Sequence, residues 1–444
     1  MTEREFAIDV VRRLRSAGFE ALWAGGCVRD ELLGHLPNDY DVATNARPEQ
    51  VQKLFRRTVA VGASFGVIEV IGPRSDGAQL QVEVVTFRSD GAYTDGRRPD
   101  DVTFGSARDD ALRRDFTING MFFDPLDNRL IDFVGGQADL QAKVVRAIGE
   151  PRERFTEDKL RMLRAVRVAA RFELNLDPTT AAAIRNMAAQ LPVVSVERIA
   201  DELRKLLIDP HRVRGLTLLD EVGLLPVILP EVAHMHGVPQ GLPAAPTGDL
   251  WQHTLKVLEL LPANASFELA FAAILHDVGK PATLGRTPDR YTFHGHEFVS
   301  RELTEQIAER LKLSNAEHER IAWLVEKHQY LSDATVMRPS KLKVVLAHPG
   351  ISDLLLLHRA DALASGKAPG HVDFAEAKLR EWTAKGELSP PPLLTGDDLK
   401  KQGIPPGPEY KHLLDAVREA QLDGTIATRD QAEALLEQLR RPQK

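Results

Sequence analysis

The sequence predicts an α+β protein, in which an N-terminal mixed sheet with helices is followed by regions that are entirely helical. Residues 1 to about 145 mix β-branched runs such as VIEVIG and QVEVVTF with glycine-rich turns, which is typical of strands. Residues 155 to 230 show long helical periodicity and few strand signals. A histidine-rich helical region and a helical tail follow. The order of these patterns therefore places the sheet before the helices.

Composition and charge restrict the kind of protein. The 444 residues are 43% hydrophobic and 27% charged, which is typical of a soluble globular chain of roughly two to four domains. No signal peptide is legible in MTEREFAIDVVRRL, and no run of about eighteen apolar residues occurs, so we expect a cytoplasmic protein without a membrane segment. The net charge is −7, so nucleic-acid binding would depend on a local basic face. Cys27 is the single cysteine, so any metal must be bound by Asp, Glu or His.

Glycine and proline clusters divide the chain. A boundary is expected near residues 146 to 155, where the strand signals end. Residues 231 to 250, EVAHMHGVPQGLPAAPTGDL, interrupt every periodic pattern, so we predict a loop there. A second proline-rich stretch leads into the tail. We therefore predict four domains, which comprise residues 1–145, 146–240, 241–370 and 371–444.

A pair of glycines lies between a short strand and a short helix near the N-terminus. Residues 22–24 are typical of the end of a strand, and residues 28–34 are typical of a helix, with Gly25 and Gly26 between them. Glycines at such a turn let backbone N–H groups approach a phosphate, and the helix N-terminus adds a partial positive charge. Arg29 would add a full charge. The pattern predicts phosphate binding.

Three carboxylates follow that can share one or two metal ions. Asp39 and Asp41 are two residues apart, so on a strand both side chains project to the same face. Such a pair suits Mg²⁺ held against substrate phosphates, and two ions about 4 Å apart can activate an attacking hydroxyl and stabilise a departing pyrophosphate. Glu83 lies in the apolar run QVEVVTFR, where an ionised group needs a cation or donors. Taken alone, the residues are also compatible with a surface turn and with an edge strand on which Glu83 faces water.

These residues belong to an ordered series of motifs. The motifs are GGCVRDELLG, DYD, VEVVTFR, RRDFTING and EDKLRMLRAVRVAARF. They resemble the motifs of the class II tRNA nucleotidyltransferases and bacterial poly(A) polymerases over roughly the first 210 residues, and VERIADELRKLL resembles a further helical motif of that family. The resemblance implies a head, neck, body and tail architecture with a nucleotidyltransferase palm. It also implies metal binding by Asp39 and Asp41 and template-independent addition of nucleotides to an RNA 3′ end. A strand that pairs beside Asp39 and Asp41 would let Glu83 complete a triad of catalytic carboxylates.

The last of the five motifs suggests how a base is chosen. Asp158 and Arg161 are three residues apart, so on one helix they share a face. A carboxylate accepts hydrogen bonds and a guanidinium only donates them. The pair therefore fits the amine and the unprotonated ring nitrogen of cytosine and adenine, whereas uracil and guanine present a carbonyl beside a ring N–H. Without the other motifs, a surface ion pair would explain the same spacing.

The predicted nucleotide-binding residues are Gly26, Arg29, Arg114, Asp158, Arg161, Arg164 and Arg167. The arginines of the last motif continue to Arg171 and could bind triphosphate or RNA phosphate. The resemblance implies that Arg114 contacts the nucleotide and that Asp115 braces the site. The segment RSDGAYTDGRRPDDVTFG is rich in glycine and charge, which predicts a mobile element over the site. In the family this region helps to switch between addition of C and A.

A histidine-rich region supplies a second set of candidate ligands. Its members resemble the ligands of an HD phosphohydrolase domain, in the order H…HD…H…H…D, and are His253, His276, Asp277, His296, His328 and Asp361. Imidazole and carboxylate suit Mn²⁺, Fe²⁺, Ni²⁺, Co²⁺ or Mg²⁺ better than a thiol-preferring metal, and a bound water could attack a phosphoester. His294 is an alternative to His296. The other interpretation is a degenerate domain retained for packing or RNA contact.

We therefore expect an enzyme that adds C, C and A to tRNA 3′ ends from CTP and ATP with Mg²⁺. The second domain would trim or repair phosphorylated ends. A bacterial poly(A) polymerase and a CC-only or A-only enzyme share the motifs, although the segment LTGDDLKKQGIPPGPEYKHLLDAV resembles the tail of bacterial CCA-adding enzymes and favours tRNA. An HD phosphohydrolase whose N-terminal half only binds RNA is an alternative of another class, but clustered carboxylates facing phosphates oppose it. Either a monomer or a homodimer fits the sequence.

Overall fold

The computed structural model describes residues 1–62, 66–75, 77–91, 102–242, 245–405 and 407–440. The chain forms two compact units, Met1–Pro230 and Glu231–Lys444. Among the described residues, every helix is too short or too polar to cross a membrane.

A mixed sheet forms the centre of the first unit. The strands of this unit are β1 (Ala21–Ala24), β2 (Asp41–Thr44), β3 (Thr58–Gly62), β4 (Val67–Ser75), β5 (Ala78–Thr86), β6 (Arg88–Asp90), β7 (Val102–Phe104), β8 (Phe122–Asp124), β9 (Arg129–Ile131), β10 (Val144–Val145) and β11 (Asn175–Leu176). Seven of them form one sheet in the order β3-β4-β5-β2-β1-β8-β9. Strands β2 and β5 run parallel, and the other described neighbours run antiparallel. The predicted mixed sheet is confirmed, with VIEVIG in β4 and QVEVVT in β5.

Helices cover the sheet and continue beyond it. The helices of this unit are α1 (Glu3–Ser16), α2 (Gly26–Leu32), α3 (Pro48–Leu54), α4 (Ala107–Leu112), α5 (Gly136–Gln141), α6 (Pro151–Glu157), α7 (Leu160–Arg171), α8 (Pro178–Met187), α9 (Val196–Leu207), α10 (Arg212–Glu221) and α11 (Leu225–Ile228), with α12 (Pro230–Ala233) at the unit boundary. In α9, the buried Ile199, Leu203 and Leu206 recur at spacings of four and three, which is one apolar face of a helix. The predicted change from strands to helices is confirmed.

The two faces of the sheet have different neighbours. Alternate residues of a strand face opposite sides, so Leu22 and Ala24 face one core while Trp23 faces α1, where Arg4 lies 5.1 Å from its ring centre. The core on the first face comprises Leu22, Ala24, Ala43, Phe87, Ala107, Ala111 and Phe122. Asp41 is the register partner of Ala24. The carboxylate of Asp41 therefore projects from the face that α4 covers in part.

The second unit is mainly helical. Its helices are α13 (Leu250–Glu259), α14 (Phe267–Leu275), α15 (Lys280–Thr283), α16 (His296–Arg310), α17 (Asn315–Lys327), α18 (Pro339–Leu346), α19 (Ile351–Ala364), α20 (Gly370–Ala384), α21 (Gly396–Lys401), α22 (Pro408–Asp423) and α23 (Arg429–Arg440). Helix α14 has the sequence FELAFAAIL and buries every residue except Glu268. A helix that is apolar all round must lie inside a core. Its C-terminal end therefore brings His276 and Asp277 into the interior.

The prediction of a loop over residues 231–250 is wrong in part. Strands β12 (Pro239–Leu242) and β13 (Ala245–Asp249) form an antiparallel hairpin there. Gly241 and Gly248 have φ angles of 82° and 106°, which only glycine adopts readily. Prolines are tolerated in such a two-stranded hairpin because each strand has an unpaired edge. The glycines and prolines that indicated a loop thus shape a hairpin.

The tail has a small core of its own. Its buried apolar residues are Leu394, Leu399, Ile404, Leu413, Val417, Ala432 and Leu436, which join α21, α22 and α23. Arg429 also donates to Asp398, at the start of α21, at 2.5 Å. The tail helices therefore hold together through apolar packing and one ion pair.

Candidate active sites

The glycine turn lies between β1 and α2 as predicted. Gly25 has a φ angle of 76° and is the residue before the helix, and its N–H donates to the carbonyl of Met121 at 3.2 Å. A Cβ placed on Gly25 would come within 2.7 Å of Nη1 of Arg114. The bare turn therefore lets the guanidinium of Arg114 lie directly over it.

The three predicted carboxylates meet across adjacent strands. Asp41 begins β2, with Asp39 just before the strand, and the parallel register pairs Asp41 with Glu83 of β5. Strand β5 lies inside the sheet, so the edge-strand alternative is wrong, although the Glu83 side chain is exposed. Glu69 of β4 pairs with Glu83 in turn and extends the row. Glu69 was not among the predicted site residues, although it occupies an alternate position of VIEVIG.

The electrostatics of this row suit a cation. Burial raises the pKa of Asp41 to about 7, and repulsion by Asp39 and Glu83 adds to the shift. Although Glu83 is exposed in part, partial desolvation by its neighbours also raises its pKa, with contributions from Asp39 and Glu69. Carboxylates that repel one another are stabilised when a divalent cation lies between them. The chemistry of the donors fits Mg²⁺.

Arginines surround these carboxylates. A cavity of about 420 Å³ is lined by Gly25, Gly26, Arg29, Asp39, Asp41, Arg113, Arg114, Asp115, Asn119, Arg161, Arg164, Arg167 and Val168. The structure thus brings six of the seven predicted nucleotide-binding residues together with two of the three predicted catalytic carboxylates. Asp158 and Glu83 do not line this cavity. Arg113 and Asn119 were not among the predicted site residues.

Arg29 has several of its donors committed within the protein. Its Nε and Nη2 donate to Asp30 at 2.8 and 2.6 Å, and its Nη1 donates to Asn119 at 2.6 Å. The ring of Phe172 lies 4.2 Å from the guanidinium carbon. Burial lowers the pKa of Arg29, although a guanidinium stays charged. Arg29 therefore presents a fixed positive charge beneath the cavity.

The expected geometry of Asp158 and Arg161 is wrong in one respect. Asp158 lies in extended conformation between α6 and α7, not on a shared helix face. One oxygen accepts from the Leu160 N–H at 3.0 Å and the other accepts from Arg198 at 2.7 Å. An aspartate that bonds the backbone two residues ahead competes with helix formation. This local bond explains why the helix is interrupted at Asp158, between α6 and α7.

Arg161 and its neighbours on α7 are held by acidic partners. Arg161 donates to Glu157 and to the carbonyl of Arg154, the latter at 3.0 Å. Arg164 pairs with Asp115 at 2.7 Å. Burial alone would raise the pKa of Asp115, but Arg164, a hydrogen bond from Asn119, and Arg161 lower it to about 2. The cavity arginines are therefore held in place before any nucleotide binds.

Of the last two arginines of α7, Arg167 lines the cavity and Arg171 does not. Arg167 donates to the buried Glu202 at 2.6 Å and lines the cavity. Arg171 lies 4.0 Å from Asp209 and over the ring of Phe172, and it does not line the cavity.

The segment predicted to be mobile forms the short pair β6–β7 at its ends, and its residues 92–101 lie outside the described part of the chain.

The second unit gathers its histidines around one carboxylate. Oδ2 of Asp277 lies 3.1 Å from Nε2 of His276 and 3.7 Å from Nε2 of His253. Oδ1 of the same residue lies 3.2 Å from Nε2 of His296 and 3.5 Å from Nε2 of His328. The structure therefore contains two candidate metal triads that share Asp277.

Asp361 completes the predicted set. Its Oδ1 lies 3.1 Å from Nε2 of His253. All six predicted residues thus meet. Lys280, which was not predicted, donates to Oδ2 of Asp277 at 2.6 Å.

Hydrogen bonds orient three of these rings for metal binding. Nδ1 donates to a main-chain carbonyl in His276 (Ala273, 2.8 Å), His296 (Phe293, 2.7 Å) and His328 (Val325, 2.7 Å). The Nε2 lone pairs then face Asp277. The Nε2 atoms of His296 and His328 lie 3.2 Å apart. Two lone pairs so close repel each other unless a cation binds them. The donor set therefore fits a metal ion.

The structure distinguishes between the two alternative histidines. His296 is buried and joins the cluster, whereas His294 is exposed. His294 instead lines a neighbouring cavity of about 340 Å³ with Lys280, Phe293 and Gln329. The cluster therefore opens toward a space beside it.

Comparison with known proteins establishes the family. Three family models match successive parts of the chain: a poly(A) polymerase head domain over residues 21–146, a probable RNA and SrmB-binding site of polymerase A over 173–235, and an HD domain over 250–366. An A-adding tRNA nucleotidyltransferase of Deinococcus radiodurans is 34% identical over 435 residues, which cover 94% of this chain and 95% of the relative. The chain belongs to the tRNA nucleotidyltransferase and poly(A) polymerase family.

Further relatives of this nucleotidyltransferase share its sequence or its fold. A CCA-adding enzyme of Levilactobacillus brevis is 43% identical over 223 residues, which span 50% of this chain and 55% of the relative. The crystal structure of the Bacillus stearothermophilus CCA-adding enzyme in complex with CTP has a TM-score of 0.72, 27% identity and coverage of 99% and 98%. The Thermotoga maritima CCA-adding enzyme complexed with tRNA shares the fold, with a TM-score of 0.61, 20% identity and coverage of 98% and 95%. The expected palm followed by helical regions is thus confirmed.

Proposed function

We propose that this nucleotidyltransferase adds C, C and A to the 3′ ends of tRNA from CTP and ATP. The observation that carries the proposal is the carboxylate pair Asp39 and Asp41, which faces an arginine-lined cavity in a chain of this family. A module that only bound RNA would gain nothing from carboxylates that repel phosphate. The A-adding and CCA-adding relatives indicate that tRNA is the substrate.

The chemistry follows from the lining of the cavity. Asp39 and Asp41, with Glu83 beside them, would hold Mg²⁺, which when bound offsets charge on the phosphates and lowers the pKa of the attacking hydroxyl. Arg114, Arg161 and the other arginines bind the triphosphate. The tRNA 3′ oxygen forms a bond to the α-phosphorus, and the bond from that phosphorus to the pyrophosphate oxygen breaks. The departing pyrophosphate then lies against the fixed guanidinium groups.

Base choice would rest on Asp158 and Arg161. The carboxylate accepts from the exocyclic amine of cytosine or adenine, and the guanidinium donates to the unprotonated ring nitrogen. A uracil or guanine would instead place a carbonyl oxygen against the carboxylate and a ring N–H against the guanidinium, which strongly disfavours binding. Because Arg198 holds one oxygen of Asp158 and Glu157 holds Arg161, the pair is oriented by two further residues. The protein would thus replace a nucleic-acid template.

The experiment that tests the proposed function uses three tRNA substrates that end before CCA, after the first C, and after CC. Each is incubated with the protein and Mg²⁺, with CTP and ATP supplied separately and together. With one nucleotide at a time, we expect CTP to extend the first two substrates and ATP to extend only the third. With both nucleotides, all three substrates should end in CCA. Incorporation of A on the third with no incorporation of C on the others would identify an A-adding enzyme, and long runs of A would identify a poly(A) polymerase.

Asp158→Ala should relax base choice. We expect UTP and GTP to be incorporated more readily relative to CTP and ATP, with discrimination reduced by about 10²-fold or more, because the acceptor that rejects a carbonyl is gone. Misincorporation is measured with each nucleotide alone. Asp201→Ala is the matched control, since Asp201 is an exposed residue of α9 that pairs with Arg204. A uniform loss of rate for all four bases would mean that Asp158 is only structural.

A second candidate function is favoured by the histidine cluster. We propose that the HD domain is a metal-dependent phosphohydrolase that acts on phosphorylated RNA ends. The histidines and carboxylates around Asp277 would hold a divalent ion such as Mn²⁺, Ni²⁺, Co²⁺ or Mg²⁺. Such ions activate water and stabilise charge on phosphate when bound. Lys280 and the neighbouring cavity would receive the phosphate.

A further inference from the structure

The carboxylate of Asp110 lies between Arg113 and Arg114, two arginines that line the cavity beside Asp39 and Asp41. Asp110 is fully buried. Its Oδ1 accepts from Nε and Nη2 of Arg113 at 2.8 and 2.5 Å, and its Oδ2 accepts from Nε and Nη2 of Arg114 at 3.1 and 2.9 Å. One carboxylate therefore holds two guanidinium groups, each through two hydrogen bonds.

The local structure makes this carboxylate rigid. Asp110 belongs to α4, which begins with a capping box formed by Ser106 and Asp109. Ala107 and Ala111 of the same helix pack into the core of the sheet. Arg113 and Arg114 follow at spacings of three and four, so they can reach back to the same residue. The position of Asp110 is thus set by the backbone and by packing, not by the arginines.

Both arginines face the site of the proposed reaction. Each lines the cavity that contains Asp39 and Asp41. Nη1 of Arg114 lies over Gly25 and 3.4 Å from the carbonyl of Asn119. Two adjacent guanidinium groups repel each other, and a buried carboxylate between them offsets that repulsion. A guanidinium has five N–H donors, so the bonds to Asp110 leave donors for a ligand.

From this arrangement we propose that Asp110 is a positioning residue, which holds Arg113 and Arg114 as one unit for binding the triphosphate of the incoming nucleotide. The proposal rests on the proposed nucleotidyl transfer. Asp110 itself touches no substrate. Its effect is to give both guanidinium groups one fixed geometry, so that less side-chain freedom is lost when the triphosphate binds.

The test is Asp110→Asn, which keeps the volume and one acceptor oxygen but removes the charge and one of the two oxygens. We expect ATP to bind about 10- to 100-fold more weakly, as for the loss of charge-assisted hydrogen bonds, while the affinity for adenosine is unchanged. Both affinities are measured by calorimetry. In the transferase assay, the KM for ATP should rise more than kcat falls.

The matched control is Asp124→Asn. Asp124 is also fully buried and accepts from an arginine, Arg15 at 2.6 Å, but this arginine does not line the cavity, whereas Arg113 and Arg114 do. A merely structural loss would lower Tm in both variants and leave the ratio of ATP to adenosine affinity unchanged. Only Asp110→Asn should change that ratio.

A second variant keeps the test decisive if Asp110→Asn does not fold. Asp110→Glu retains the charge but moves the carboxylate outward by one methylene, so both guanidinium groups shift, and the same selective loss of ATP affinity is expected. An unchanged ratio of ATP to adenosine affinity in a folded Asp110 variant overturns the inference. A wild-type protein that binds ATP but adds nothing to tRNA would instead contradict the proposed function, whatever the Asp110 variants do.

Discussion

Asp41→Ala is expected to abolish nucleotide addition, lowering the rate by about 10³-fold or more, because a carboxylate of the metal site contributes several kcal/mol to the transition state. Asp39→Ala should do the same. Incorporation of labelled ATP into tRNA that ends in CC measures the loss. Asp41→Asn, which has the same shape as aspartate, separates the loss of charge from any change in packing.

The Asp41 variants should be no less stable than the wild type in Mg²⁺-free buffer. The pKa of Asp41 is raised to about 7 in the folded protein, above the value of about 3.9 for an unperturbed aspartate. An acid whose pKa is higher in the folded state destabilises that state when it ionises, so stability is lost as the pH rises from about 4 to 7. Removing this carboxylate should therefore leave Tm at pH 8 unchanged or raise it.

Thermal unfolding with and without Mg²⁺ provides a second measurement. A metal that binds only the folded protein raises its Tm, so Mg²⁺ should stabilise the wild type more than Asp41→Asn. Glu3→Gln is the control, since Glu3 is an exposed residue at the start of α1. Near wild-type incorporation by folded Asp39 and Asp41 variants would exclude this metal site.

The carboxylate row could be predicted because strand geometry is periodic. Asp39 and Asp41 share a face through the two-residue repeat of a strand, and the parallel register then pairs Asp41 with Glu83 of the neighbouring strand. Glu69 lies on β4, and the Asp-Gly pair between the runs of β4 and β5 indicates a hairpin that brings it beside Glu83. The sequence does not indicate, however, that β2 lies on the other side of β5. Strand order depends on long-range contacts that local patterns do not contain.

The arrangement around Asp158 could not be predicted for a different reason. Its side chain bonds the Leu160 N–H and interrupts the helix, and helical spacing alone does not reveal such a local bond. Its second partner, Arg198, is 40 residues away. The sequence indicated the helical motif that contains Arg198, but it did not indicate that Arg198 contacts Asp158.

The histidine cluster was predictable as a set of residues but not as a geometry. Helix α14 is apolar at every position except Glu268, and the structure buries His276 and Asp277 at its end. The choice between His294 and His296 depended on where α16 begins. Because Gly295 takes the left-handed conformation before the helix, His296 starts α16 and turns inward.

Asp277→Ala should remove the phosphohydrolase activity and leave nucleotide addition in place. Asp277 is the one carboxylate common to both candidate triads. With the surrounding histidines neutral, its loss removes the central carboxylate and leaves Asp361 as the remaining predicted carboxylate ligand, so a divalent ion should bind far more weakly. Metal analysis of the purified protein should find bound divalent metal in the wild type and far less in the variant.

The two activities are measured on the same preparations. Hydrolysis of a 2′,3′-cyclic phosphate at an RNA end forms a bond from water oxygen to phosphorus and breaks one bond from phosphorus to ribose oxygen, which receives a proton. This activity should fall below detection in Asp277→Ala. Addition of ATP to tRNA should persist, because Asp39, Asp41 and the arginines of α7 belong to the other compact unit.

The control variant is Asp353→Ala, which removes a half-buried carboxylate of the same unit that pairs with Arg320 at 3.1 Å. It should retain its metal and both activities. If Asp277→Ala is folded but loses both activities equally, the histidine-rich domain supports the transferase structurally and is not a second active site. If it loses metal while a cyclic phosphate is still hydrolysed at the wild-type rate, the cluster binds metal for stability, and the hydrolysis occurs elsewhere.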